Sequence, residues 1–181
     1  MGHWVFGYGS LIWRPDFPFR ERTPARIRGW TRRFWQGSHD HRGVPNAPGR
    51  VVTLVPVVDE VCDGVGYLIE EDVFTHLDER EKNGYVRHDV RLEFADTDTL
   101  GVVYIAPRDN HAFLGAAPRD EMAAHIHRSV GPSGRNLDYL LELAQALREL
   151  DADDPHVFDL ERRVRSLESR TKAPNAKLSG R

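Results

Sequence analysis

Val86-Arg87-His88-Asp89-Val90-Arg91-Leu92-Glu93-Phe94 has a period of two: Val86, His88, Val90, Leu92 and Phe94 alternate with charged residues. Side chains of a strand point alternately to its two faces, so this stretch reads as a half-buried β-strand. Gly101 to Ala106 reads as its neighbour. Working backwards, Gly64 to Ile69, Arg50 to Val58 and Ala25 to Gln36 are further β-rich segments, and Trp4-Val5-Phe6 is a short apolar strand. Forwards from the alternation, the pattern changes to a helical one. Met122 and Ile126 lie four apart, and Leu137, Leu140, Leu141, Ala144 and Leu147 form a stripe that Asn136 is placed to cap. A polar-faced helix is expected from about Pro155 to Ser169. Residues 1–170 read as one domain, with 171–181 a flexible C-terminal tail.

The chain has 181 residues, 40% apolar and 29% charged, with a formal charge of −3. That balance gives no general reason to expect nucleic acid or an anionic membrane as partner. A single cysteine, Cys62, excludes an intrachain disulfide framework and cysteine-rich zinc sites. No apolar run approaches the roughly 20 residues that span a bilayer. The start of the chain, His3-Trp4-Val5-Phe6-Gly7, lacks the basic region of a signal peptide. A cytoplasmic location is expected.

Gly7-Tyr8-Gly9-Ser10-Leu11 follows the first strand directly. Glycines permit close backbone approach, and successive N–H groups of such a turn can form an anion-binding concavity; a plain strand-end turn is the other reading. No Gly-Lys-Ser/Thr follows, so it is not a Walker loop. Tyr8 and Ile12 stand where a hydrolase elbow around Ser10 would need glycines. Cys62 reads more readily as a small core residue than as a nucleophile. On a helix the His125/His127 pair would not share a face, and the His39/His41 loop pair lacks obvious further metal ligands. Arg32, Arg33, Arg42 and Arg50 gather around Phe34 and Trp35, an arrangement suited to binding carboxylates or stacking on bases, or to simple packing. In the helix expected from Glu70 to about Lys82, Phe74 and Leu77 share a face on which Glu81 also falls. Such a carboxylate is either at a frayed end in water or directed into a pocket. Spacing leaves both open.

In order along the chain, these signals resemble one known family. Trp4-Val5-Phe6-Gly7-Tyr8-Gly9-Ser10-Leu11-Ile12-Trp13 is similar to the opening of ChaC-type γ-glutamylcyclotransferases. So are Arg33-Phe34-Trp35-Gln36-Gly37-Ser38, Asp40-His41-Arg42-Gly43-Val44-Pro45 and Pro48-Gly49-Arg50-Val51-Val52-Thr53-Leu54. Arg80-Glu81-Lys82 with Gly84-Tyr85, and Gly131-Pro132-Ser133-Gly134-Arg135-Asn136, complete a resemblance over roughly residues 3 to 150. Asn83 departs from the family, which has glycine there.

The resemblance implies an α+β fold, a small mixed β-barrel or curled sheet flanked by helices. It implies a pocket in which Gly7, Tyr8, Gly9, Ser10, Leu11 and Ile12 hold the glutamyl part of a substrate, with Glu81 as the acid/base residue. The implied reaction is glutathione cleavage to 5-oxoproline and cysteinylglycine, which needs neither metal nor organic cofactor. Arg42 and Arg50 are candidates for the far carboxylate of glutathione, and Tyr104 for a pocket hydroxyl. The expected partner is the small-molecule substrate alone, without nucleic acid or membrane, in a monomer or weak homodimer. The alternatives are a cyclotransferase of other γ-glutamyl amino acids or γ-glutamylamines, and a non-catalytic γ-glutamyl-binding or RNA-binding module.

Overall fold

The structure is a computed structural model that describes residues 2–80 and 84–172. Glu81 lies outside the described residues, as do Lys82, Asn83 and residues 173–181 of the expected tail. Five strands, β1 (His3–Gly7), β2 (Glu21–Ser38), β3 (Gly49–Ile69), β4 (Val86–Glu93) and β5 (Asp98–Ile105), close into a barrel in the order β1-β3-β2-β4-β5. β1 runs antiparallel to β3 and parallel to β5, which makes the barrel mixed. Helix α1 (Glu71–Arg80) follows β3 and buries Phe74 and Leu77, the apolar face expected of it. Helices α2 (Arg119–Arg128), α3 (Asn136–Glu149) and α4 (Pro155–Lys172) pack together beside the barrel, and a two-stranded ribbon of β6 (Val130–Gly131) and β7 (Gly134–Arg135) precedes α3. Among the described residues no helix is long and apolar enough to cross a membrane.

The β-rich segments Arg50–Val58 and Gly64–Ile69 are parts of one strand. In the pairing of β2 with β3 the register jumps from Trp30↔Pro56 to Arg28↔Val61, so Val57, Val58, Asp59 and Glu60 bulge out opposite Gly29. Gly29 and Asp59 take the left-handed turn this requires, at φ 79° and 66°. Glycine does so without strain, and aspartate is among the better-tolerated alternatives. The alternation of β4 is half realised: Val90 and Leu92 are buried, whereas Val86 is 50% exposed and His88 is exposed. The cause is topological. β4 pairs with β2 only at Arg26↔Glu93, so its first half has β5 as its one paired strand among the described residues.

Asn136 does not cap α3 as its position predicts. Its side chain is fully buried, accepts from the Arg50 N–H and donates to the Arg50 carbonyl, both at 2.7 Å. It therefore ties the start of α3 to β3. The buried face of α3 is also wider than the leucine stripe and includes Tyr139 and Leu143. The α4 helix has the start that elementary capping rules prescribe. Asp154 accepts from the Val157 N–H at 3.1 Å, and Pro155 occupies the first turn, where a missing N–H costs nothing.

His156, in that first turn, is buried against Phe34, with ring centroids 6.0 Å apart. Its Nε2 accepts from the Phe34 N–H at 3.0 Å, and its Nδ1 has no partner among the described residues. Burial, then the nearby positive charges of Arg119, Arg33 and Arg32, push its pKa down to about 3. Below the unfolded value of about 6.5 the unfolded chain takes up a proton that the folded chain refuses. Stability is therefore lost as pH falls from about 6.5 towards 3, by about 2 kcal/mol at pH 5 from this group. Denaturant unfolding of wild type and His156→Gln, whose amide oxygen can accept the same N–H without titrating, checks this. The variant is expected to lose less stability between pH 7 and 5. Equal losses would refute it.

Candidate active site

The turn after β1 is fixed by its carbonyl groups. The Tyr8 carbonyl accepts from Arg32 Nε at 2.6 Å, that of Leu11 from the Tyr67 hydroxyl at 2.6 Å, and that of Ile12 from an Arg22 terminal nitrogen at 2.9 Å. Ser10–Ile12 form one 3-10 turn closed by Ile12 N–H to the Gly9 carbonyl at 3.0 Å. Among the described residues the N–H groups of Gly9, Ser10 and Leu11 have no partner. Glycine at 9 is a matter of space, since a Cβ there would stand 3.0 Å from a Val52 methyl and 3.1 Å from the Tyr139 hydroxyl.

Arg32 supports this turn from within the protein. Its side chain is 1% exposed and pairs with Asp154 at 2.5 Å, while its other terminal nitrogen donates to the Asp63 carbonyl. A buried cation that donates from all three of its guanidinium nitrogens is held in one geometry. The residue that caps α4 is thus also the counter-ion behind the glycine turn.

Two cavities adjoin the turn. The smaller, about 70 Å³, is lined by Gly9, Ser10 and Leu11 together with Tyr8, Val52 and Tyr104. The Tyr8 hydroxyl donates to the Tyr104 carbonyl at 2.8 Å, and Tyr85 donates to the Val52 carbonyl at 3.1 Å. The larger, about 380 Å³, takes in Trp13, Arg14, Asp40, His41 and Arg42. Ser10, Tyr85 and Tyr139 line both, so the two adjoin as chambers of one site, the smaller named the inner and the larger the outer.

The outer wall is built by close backbone packing. A Cβ on Gly43 would lie 2.0 Å from the Gly49 nitrogen, and one on Gly131 would lie 2.3 Å from the His41 carbonyl oxygen. Nothing larger than glycine fits at either place. Ser133 N–H donates to the His41 carbonyl at 2.9 Å. These contacts lock the loop before β3 onto the β6–β7 ribbon. They bring together Arg42, which donates to the Arg135 carbonyl at 3.1 Å, and Tyr139, whose ring lies 5.7 Å from the Arg42 guanidinium carbon. Trp13 meets the same ring edge-on at 5.4 Å.

The sequence candidates thus divide. Tyr8, Gly9, Ser10, Leu11 and Tyr104 border the inner chamber, and Arg42 the outer. Gly7 and Ile12 line neither; Gly7 lets the chain pass Leu11, where a Cβ would come within 2.8 Å, and Ile12 is core. Arg50 is not brought to either chamber. Its guanidinium donates to the Phe34 and Gly115 carbonyls, each at 2.9 Å, so it is used up joining β2, β3 and the segment before α2. Burial lowers its pKa below the ordinary arginine value.

Trp13, Arg14 and Tyr139 are additions of the structure. Tyr139 sits on the apolar face of α3, where spacing cannot tell a cavity wall from core. The Gly131–Asn136 motif just before it was the available signal.

Other reactive candidates have structural places. Burial pushes the Cys62 thiol up to about 11, which keeps it protonated at neutral pH. His125 accepts at Nδ1 from Arg50 Nε, so its Nε2 carries the proton given to the Pro48 carbonyl at 2.7 Å. Burial lowers its pKa. His127 pairs with Glu168 at 2.9 Å, and His39 and His41 contact the Pro45 carbonyl and the Ser133 hydroxyl.

A family model described as ChaC-like protein matches residues 3–167. The chain belongs to the ChaC-like protein family. It is 46% identical over 181 residues to Gamma-glutamylcyclotransferase 2-3 of Arabidopsis thaliana, covering 92% of this chain and 90% of the relative. It is 41% identical over 170 residues to Glutathione-specific gamma-glutamylcyclotransferase 1 of Danio rerio, covering 87% and 86%. A crystal structure of a γ-glutamyl cyclotransferase specific to glutathione from yeast superposes with a TM-score of 0.85 at 34% identity, covering 91% of this chain and 96% of that one. The expected α+β barrel flanked by helices is therefore the fold of this ChaC-like chain. The family match runs to residue 167, past the limit near 150 suggested by the motifs, and takes in the first three turns of α4. That is the helix whose cap supports Arg32.

Proposed function

We propose that this chain is a γ-glutamylcyclotransferase that cleaves glutathione to 5-oxoproline and cysteinylglycine. The observation that carries the reading is the unpartnered N–H set of Gly9, Ser10 and Leu11 on a small chamber that opens into a larger one. A γ-glutamyl group has a free α-carboxylate, and its reaction develops an oxyanion. Either charge suits three fixed N–H donors beside the smaller chamber, while the peptide remainder extends into the larger one. Relatives named glutathione-specific support the choice of substrate.

The α-amine of the glutamyl group attacks its own γ-carbonyl carbon and closes a five-membered ring. The amide bond to the cysteinyl nitrogen breaks, and that nitrogen leaves with a proton. Attack within one molecule has effective molarities of roughly 10⁵ M and above when the ends are well oriented. The remaining task is proton transfer, since the amine arrives as ammonium. Glu81 takes that proton and returns it to the leaving nitrogen, and the second proton that the attacking nitrogen loses on ring closure passes to the same leaving nitrogen, which departs as an ammonium. Tyr8 and Tyr104 shape the inner chamber, and Arg42 lends positive charge to the outer one. No water is consumed, and the scheme uses no metal or organic cofactor. The chain acts in the cytoplasm as a monomer or weak homodimer, without nucleic-acid or membrane partners, a reading that the near-neutral charge of −3 supports.

The reading is tested by incubating the purified protein with glutathione and with γ-glutamyl-alanine. Equimolar 5-oxoproline and cysteinylglycine from glutathione, at the faster rate, is the expected result. Faster turnover of γ-glutamyl-alanine would shift the assignment to other γ-glutamyl compounds, and binding without turnover would make the chain a binding module.

A further inference from the structure

Building on the glutathione reading above, we propose that Arg14 recognises the C-terminal carboxylate of the peptide substrate and so sets the preference for a tripeptide. The inner chamber, about 70 Å³, has room for only one end of such a molecule, so the part beyond the scissile amide must occupy the outer chamber of about 380 Å³. That part ends in a carboxylate at neutral pH. Among the described residues the charged side chains of the outer wall are Arg14, Asp16, Asp40, His41 and Arg42. Asp40 and His41 lie 3.8 Å apart as a pair. Arg42 is 9% exposed, bonded to the Arg135 carbonyl and laid over Tyr139, so the fold already fixes it as wall. Arg14 is exposed and its side chain has no partner among the described residues.

Its backbone gives it a defined distance from the glutamyl end. Arg14 N–H donates to the Ser10 carbonyl at 2.8 Å, so the turn that carries the three unpartnered N–H groups also carries this guanidinium. One rigid segment therefore contacts both ends of the substrate, the inner through its backbone and the outer through a long side chain. The two residues beyond the scissile amide span at most about 7 Å when extended. A guanidinium fork matches a carboxylate bidentately, which an ammonium cannot do. A γ-glutamyl compound ending in an amine or a short side chain would leave Arg14 unused.

The test compares glutathione with its C-terminal amide on wild type, Arg14→Gln, Arg14→Lys and Arg14→Glu, with thermal unfolding to confirm equal folding. A charge-assisted hydrogen bond of this kind corresponds to about tenfold in KM. Wild type should show a KM about tenfold lower for glutathione than for the amide. Arg14→Gln should raise KM for glutathione to about that of the amide, with the amide and kcat within about twofold of wild type. Arg14→Lys should fall between, and Arg14→Glu should favour the amide. Equal effects of Arg14→Gln on both peptides, or no effect on either, would overturn the assignment while leaving the activity standing. A wild-type protein that releases no 5-oxoproline from either peptide overturns the activity reading and this assignment together.

Discussion

Glu81→Gln is expected to lower kcat for 5-oxoproline release from glutathione by about a thousandfold, with KM changed by less than about threefold. Glutamine keeps the size and hydrogen-bonding reach of the side chain and removes its ability to carry a proton. In the proposed scheme two proton movements depend on that ability, one before ring closure and one as the cysteinyl nitrogen leaves. An unperturbed glutamate, with a pKa near 4.3, is a good acceptor at neutral pH and a poor donor. Removal from water would raise that pKa, and the arriving ammonium would lower it. In wild type kcat should therefore fall on the acid side as the carboxylate is protonated, and the variant should lack that limb. Steady-state assays from pH 5 to 9 measure both. A variant with near wild-type turnover would remove Glu81 from the chemistry.

The second large effect concerns stability. Arg32→Met is expected to destabilise the fold by about 3 to 5 kcal/mol, because it leaves Asp154 half of a broken buried pair. For a chain of this size that corresponds to a fall in Tm of roughly 10 °C. It also frees the Tyr8 carbonyl, a buried acceptor, and the half-buried Asp63 carbonyl, neither of which apolar methionine can satisfy. The Tyr8 carbonyl is part of the turn at the inner chamber, so kcat/KM at 25 °C should fall as well, by about tenfold or more. Asp154→Asn separates the contributions. Its one amide oxygen can keep the cap of α4, but its NH2 group then faces the Arg32 guanidinium, so the buried pair is broken while the Tyr8 and Asp63 carbonyls keep their donors; it should cost somewhat less than Arg32→Met. Wild-type Tm and activity in Arg32→Met would show that the turn holds itself.

The barrel was legible because its strands carry patterns local to each segment. β4 announced itself by alternation, and α1 by Phe74 and Leu77. The bulge at Val57–Glu60 was not, since a strand that leaves its partner and returns to it has the same apolar content as two strands. The exposed start of β4 was hidden for a similar reason: alternation says which faces differ, not whether a neighbour covers one of them. At the site, the glycine turn could be found from spacing and resemblance, because the constraint is on the backbone at those positions. Arg50 and Arg42 could not be told apart. Eight residues separate them on one loop and strand, yet one binds carbonyls in the interior and the other borders the cavity. That difference depends on contacts from residues 115 and 135, far along the chain. Asn136 misled for the same reason, its cap position being overruled by a partner 86 residues earlier.

The tie from Tyr8 through Arg32 to Asp154 also has a consequence in time. A ribosome delivers the glycine turn long before its buried counter-ion, and β1 must wait for β5 before the barrel can close. At typical rates of about 5 to 20 residues per second, the turn exists for roughly 10 s or more before residue 154 is made. A nascent chain that ends before α4 therefore carries the glycine turn without the support that shapes it. On this chain, the turn at the site gains its interior support only once α4 has begun to be made.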